Sequence, residues 1–188
     1  MKVILKDVRL AFPDLFTPVQ FDGRGEARYG ANFLFAPDSE NAVAVDATIK
    51  SVAAEAWGAK AAANLKGLSG DSNKCCYGDG DTKTYEGYEG RRYLSAHRNA
   101  VQGAPAVVDA RKAPLTLDSG KPYAGCYVNA SVDIWVQKGT YTGIRASLVG
   151  VQFLRDGDAF AGAPATDSDF EDLGDFEDLG GNDDVLYL

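Results

Sequence analysis

The chain has 188 residues, an apolar fraction of 45% and a formal charge of −8 at neutral pH. That composition is ordinary for a globular fold, and no apolar run approaches the roughly 20 residues that a membrane-spanning helix needs. Three cysteines, with Cys75 and Cys76 adjacent and Cys126 remote, argue against a disulfide framework, and His97, the only histidine, fits no zinc spacing.

The opening, Met1-Lys2-Val3-Ile4-Leu5-Lys6-Asp7, is charged too early for a secretory signal, so the cytoplasm is the expected compartment. It is strand-like. Val3 and Leu5 share one phase, Val8, Leu10 and Phe12 the other, and the switch near Asp7 predicts a bulge. Phe12-Pro13-Asp14-Leu15-Phe16 is expected to end this strand. Tyr29, Ala31, Phe33 and Phe35 alternate with Gly30, Asn32 and Leu34 in a second strand, stopped by Pro37.

Asp38 or Ser39 can cap the helix that follows. Ala42, Val45, Ile49, Val52 and Ala56 form one apolar stripe, so the helix, expected to reach about Ala63, lies against the sheet. Leu65 to Gly90 has little periodicity and is expected to be a long polar loop rich in Gly, Asp, Lys and Tyr. Short strands are expected at Arg92 to His97 and Ala106 to Val108. The clearest strand has Val128, Ala130, Val132, Ile134 and Val136 alternating with Asn129, Ser131, Asp133 and Trp135. A last strand spans Thr140 to Leu154. The expected fold is mainly β with one long helix (α+β): an OB-like antiparallel barrel of five to six strands, whose closure removes exposed edges.

The domain is expected to occupy residues 1–165, followed by an acidic tail over 166–188. Thr166 to Leu188 contains nine acidic residues and no basic one; the other 165 residues hold 19 basic and 18 acidic, a formal +1. The tail repeats Asp-Phe-Glu-Asp-Leu-Gly, first over 169–174 and again over 175–180. Repelling charges and sparse apolar side chains predict a disordered arm. Its partner-binding candidates are Phe170, Leu173, Phe176, Leu179, Leu186, Tyr187 and Leu188.

The main chemical signal is a basic-aromatic stretch: Tyr85, Tyr88, Arg91, Arg92, Tyr93, His97, Arg98, Arg111 and Lys112. From Arg91 to Lys112 there are five basic residues and one acidic residue, Asp109. Single-stranded nucleic acid needs this mixture, because cations follow phosphates and flat rings stack on bases. The alternative is a hydrated loop whose tyrosines pack locally. Trp135, on the polar face of its strand, is either a further stacking platform or a cover for a neighbouring element. Asp79, Asp81, Glu86 and Glu89 raise the alternative of a metal-dependent nuclease, but their spacing forces no convergence on one ion. There is no phosphate-cradling loop, no Ser-His or Cys-His pattern, and no cofactor motif. No catalytic or metal-ligating residue is assigned.

Several blocks resemble a family of bacteriophage single-stranded DNA-binding proteins, formerly catalogued as a domain of unknown function. They are Leu10 to Pro18, Tyr29 to Pro37, Tyr88-Glu89-Gly90, Tyr93-Leu94-Ser95-Ala96, Gly125 to Ser131 and Gly150 to Phe160. The resemblance implies an OB-like fold that coats single-stranded DNA in phage replication or recombination. It also implies that the acidic arm docks phage or host replication and recombination proteins and competes with DNA for the basic groove. The arm ends in Leu188 rather than the more usual phenylalanine. A homo-oligomer is compatible with all of this. A virion or scaffold-type assembly protein, with the tail supplying contacts, is the rival reading.

Overall fold

A computed structural model describes residues 1–20 and 25–160. Seven strands form one sheet: β1 (Lys2–Val19), β2 (Arg28–Phe35), β3 (Tyr77–Asp79), β4 (Arg92–Asn99), β5 (Ala106–Val108), β6 (Tyr127–Gln137) and β7 (Gly143–Arg155). Their order is β3-β4-β2-β1-β6-β7-β5, and a parallel pairing of β4 with β7 closes the ring. The result is a five-stranded closed barrel, β1-β2-β4-β7-β6, with β3 added beside β4 and β5 beside β7. This is OB-type topology, in which the face of the second and third barrel strands and the loops beside it bind oligonucleotides.

The bulge at Asp7 is present: φ is 49° there, and the β1–β6 register slips between Leu5 and Val8. The slip restores an inward phase, so Val3, Leu5, Val8 and Leu10 are all buried. They meet Phe33, Leu94, Val128, Val132, Ile134, Ile144 and Leu148 inside the barrel. Each such side chain contributes about 1.5–3 kcal/mol relative to exposure.

The strand does not end at Phe12. A second slip, between Ala11 and Asp14, carries β1 on to Val19. Ala11 packs outside the barrel, and Phe12 is carried to the surface, out of the phase it was expected to share with Val8 and Leu10. The register with β2 shifts once more between Asp14 and Val19, and such irregularities bend the strand sharply, which helps a short sheet close.

Helix α1 (Glu40–Trp57) packs on β1 and β6. Ser39 caps it, its hydroxyl accepting from the Ala42 N–H at 3.3 Å. Ala42, Val45, Ile49 and Val52 are buried as the stripe predicts, joined by Ala53; Ala56 is half-buried. The helix ends before Ala63, because Gly58 at φ 52° breaks it. A single 3-10 turn then leads into α2 (Ala61–Leu68). The expected loop from Leu65 to Gly90 therefore holds the end of α2 and β3.

A second apolar cluster lies outside the barrel: Ala11, Leu34, Tyr88, Tyr93 and Phe160. Arg9 ties down the last described segment. Its guanidinium donates to the Gly125 and Asp158 carbonyls at 3.1 and 2.7 Å and lies 4.4 Å from the Phe160 ring centroid. The tail and its candidates Phe170, Leu173, Phe176, Leu179, Leu186, Tyr187 and Leu188 lie outside the described residues. Among the described residues, no helix is long and apolar enough to cross a membrane.

Candidate functional site

The strongest candidate is a groove of about 950 Å³ across β2, β4 and β7. Strand alternation builds it. On β7, Ile144, Ala146 and Leu148 point into the core, so Arg145 and Ser147 point out. Ser147 pairs with His97 of β4, and His97 with Gly30 of β2. Gly30 has a packing reason: a Cβ there would stand 3.0 Å from the His97 ring, so a side chain would push the imidazole off the groove floor.

Arg28 opens β2, and Arg145 stands on the opposite wall beside the β6–β7 hairpin. Arg145 is held in place. It donates to Gln137 Oε1 at 2.9 Å, to the Asn73 carbonyl at 2.7 Å and to the Tyr141 carbonyl at 3.4 Å. Among the described residues, neither Arg28 nor Arg145 has a carboxylate within ion-pair distance; the four ion pairs are elsewhere. Asp14 and Glu26 also line the groove, and burial raises the Asp14 pKa.

His97 reports this field. It is open to solvent but lies on a concave floor, where surrounding atoms displace bulk water. That desolvation lowers its pKa below the usual value, and the charges of Arg28 and Arg145 lower it further. Flat rings stand nearby. Tyr141, on the hairpin, is 74% exposed. Trp135 pairs with Arg145, is 42% exposed, and donates from Nε1 to Ser147 Oγ at 3.0 Å. It lies on the outer face beyond Arg145.

The basic-aromatic stretch does not form one surface. His97 is in the groove. Arg98 points to the other side of β4, donating to the Gly103 and Gln102 carbonyls at 2.7 and 2.9 Å. Arg92 pairs with Asp79 at 4.0 Å and lies over the Tyr77 ring. Arg91 is half-exposed in the turn before β4. Arg111 and Lys112 are exposed in a turn built on the Asp109 carboxylate. That turn follows β5, which pairs with Gly150 to Gln152, away from the hairpin end of β7.

The three tyrosines separate as well. Tyr85 is 53% exposed, whereas Tyr88 and Tyr93 are buried at 1% and 6%. Asn32 Nδ2 donates to the Tyr88 hydroxyl at 2.6 Å, and burial pushes that hydroxyl's pKa up to about 12. Neither buried ring offers a face to a base, which is a correction to the sequence reading. Arg28, Tyr141 and Arg145 were missed by it. Alternation along the last strand was the available signal for Arg145.

Two of the acidic-loop carboxylates serve the local backbone. Asp79 accepts from the Asp81 N–H, and Asp81 from the Gly90 N–H. Among the described residues, no group of three or more His, Cys, Asp or Glu side chains is placed to hold a metal ion. Cys76 and Cys126 are buried, and burial raises both thiol pKa values, to about 12 for Cys126.

A family model described as Enterobacter phage Enc34, ssDNA-binding protein, matches residues 1–180. The chain belongs to this family. A relative, putative protein p50 of Acyrthosiphon pisum secondary endosymbiont phage 1, is 44% identical over 176 residues, covering 92% of this chain and 94% of that one. The solved single-stranded DNA-binding protein from bacteriophage Enc34 in complex with ssDNA matches with a TM-score of 0.69 at 23% identity, covering 84% of this chain and 88% of that one. The single-stranded DNA-binding protein gp2.5 of bacteriophage T7 matches with a TM-score of 0.54 at 13% identity, covering 96% of this chain and all of that one. At these identities the two structures carry the fold, and the family model carries the membership. The Enc34-type family is the one that the sequence blocks resemble.

Proposed function

We propose that this chain binds single-stranded DNA without sequence preference and without catalysis, with the strand lying in the β2–β4–β7 groove. The observation that carries this is the convergence of Arg28, His97 and Arg145 in one groove bordered by Tyr141 and Trp135. Cations there hold phosphates and the exposed rings stack bases. The setting is phage replication or recombination in the host cytoplasm. The test is fluorescence anisotropy with labelled oligo-dT against a matched duplex at two salt concentrations. Two or three neutralised phosphates, on Arg28, Arg145 and a His97 protonated on binding, give a slope of log K against log salt of about −1.4 to −2.1. A flat salt response with retained binding contradicts the mechanism.

His97 adds a pH dependence. Its lowered pKa keeps the imidazole neutral at pH 7 in the free protein. A phosphate in the groove favours the charged form and raises that pKa. Binding then takes up a proton, so affinity rises as pH falls from about 7.5 to 5.5, by less than tenfold per unit. For folding the sign is opposite. A depressed pKa gives stability that is present above the unfolded value and lost as pH falls. His97→Gln flattens the affinity profile; an unchanged profile removes His97 from the contact.

We also propose that residues 166–188 act as an acidic arm that competes with DNA and docks replication or recombination proteins through its apolar residues. Such an arm has an effective concentration on the order of millimolar. Deleting it tightens oligo-dT binding, more at low salt, and leaves Tm unchanged. Weaker binding, or a large fall in Tm, contradicts this role.

A further inference from the structure

Phe12 has φ 48°, a left-handed conformation that bulky L residues rarely adopt, and its ring is 51% exposed. The second bulge of β1 accounts for the turn of the backbone here, but not for a bulky aromatic at its left-handed position with the ring turned to solvent, and strain of this kind concentrates at ligand contacts. The ring is firmly seated. It meets Tyr85 edge-on at 4.9 Å, Tyr85 meets Tyr88 at 5.5 Å, and Tyr88 meets Tyr93 at 5.8 Å. Two exposed rings thus rest on two buried ones.

The position of Phe12 gives this ladder its meaning. Phe12 and Asp14 line the β2–β4–β7 groove and also a second groove of about 850 Å³, whose other walls include Tyr85, Pro122 and Phe160. The second groove is mainly apolar. Its charged side chains are Asp14, Glu86 and Lys121, and Lys121 is paired with Asp156 at 3.0 Å. With its one cation already paired, it is suited neither to phosphates nor to an acidic peptide. A flat, uncharged group fits.

We propose that Phe12 and Tyr85 form a nucleobase-stacking subsite that carries the DNA strand from the β2–β4–β7 groove over the β1 ridge into the second groove. The proposal rests on the DNA-binding reading above. It divides the labour between the two grooves: the first holds the backbone by charge, and the second holds one or two bases by stacking.

The test compares oligo-dT of about 5 and about 20 nucleotides on the full chain, for wild type, Phe12→Leu, Tyr85→Ala and Arg28→Ala. Phe12→Leu keeps an apolar side chain and removes the ring. With the long oligomer, Phe12→Leu and Tyr85→Ala are expected to lose roughly 5- to 150-fold in affinity, the range for one stacked base. With the short oligomer, which the first groove can hold alone, Tyr85→Ala, whose side chain lines only the second groove, matches wild type, whereas Arg28→Ala weakens binding to both lengths. Thermal melting of each variant separates a binding loss from unfolding. Wild-type affinity in Phe12→Leu and Tyr85→Ala at both lengths, with Arg28→Ala still weakened, overturns the subsite and leaves the first groove standing. An Arg28→Ala variant that binds like wild type overturns the groove reading and the subsite with it. Tighter binding in Phe12→Leu means the second groove holds the chain's own acidic segment, which also overturns the proposal.

Discussion

Arg28→Ala weakens oligo-dT binding by about 10- to 100-fold at low salt, and adding Arg145→Ala makes the salt slope shallower by about 1.4. The first magnitude follows from a charged hydrogen bond to phosphate, roughly 1.5–3 kcal/mol. The second follows from two contacts at about 0.7 each on a single strand. Arg28 is the cleaner probe, since it is exposed and has no ion-pair partner among the described residues. Arg145 also braces the hairpin through Gln137, Asn73 and Tyr141, so Arg145→Lys is its control: charge is kept and the fork is lost. The same measurement on Arg111→Ala with Lys112→Ala gives little change, because that turn lies beyond β5. A large loss there, with Arg28→Ala silent, relocates the interface to the basic stretch that composition alone favours.

Tyr88→Ala acts on stability rather than on binding. The side chain is 1% exposed and packs with Ala11, Leu34, Tyr93 and Phe160. Truncating a buried aromatic costs about 3–5 kcal/mol, a large part of the roughly 5–15 kcal/mol that holds a domain folded. Urea denaturation is expected to show that loss. Tyr88→Phe keeps the ring and removes only the acceptor for Asn32, costing about 1 kcal/mol. Tyr88→Ala with native stability and lost DNA affinity contradicts the buried role.

The regular parts of this fold were legible because they depend on short periods. The phase switch at Asp7, the stripe from Ala42 to Val52 and the alternation from Val128 to Val136 each sit within one element. What was not legible depends on distant pairing or on single backbone angles. Tyr85 and Tyr88 are three residues apart in an aperiodic segment, and nothing local says that one is exposed and the other buried. Only the packing of Phe160 and Leu34 on Tyr88 decides it. Arg145 comes near His97 because β7 closes on β4, a contact across almost 50 residues that composition cannot show. The basic stretch from Arg91 to Lys112 looked like one patch because it is continuous in sequence. Strand alternation sends His97 and Arg98 to opposite sides, and the β5 crossover carries Arg111 and Lys112 away. Phe12 leaves the phase of Val8 and Leu10 at a second bulge five residues after the first, which leaves no mark in the apolar pattern.

The central claim is that the strand lies across β2, β4 and β7. Photo-crosslinking of oligo-dT to the full chain, with the attached peptides identified by mass spectrometry, tests it most directly. The account predicts adducts on Tyr141, Trp135 and His97, lost when unlabelled single strand competes and retained against duplex. Adducts confined to Ala106 through Ser119, with none on β4 or the β6–β7 hairpin, contradict it.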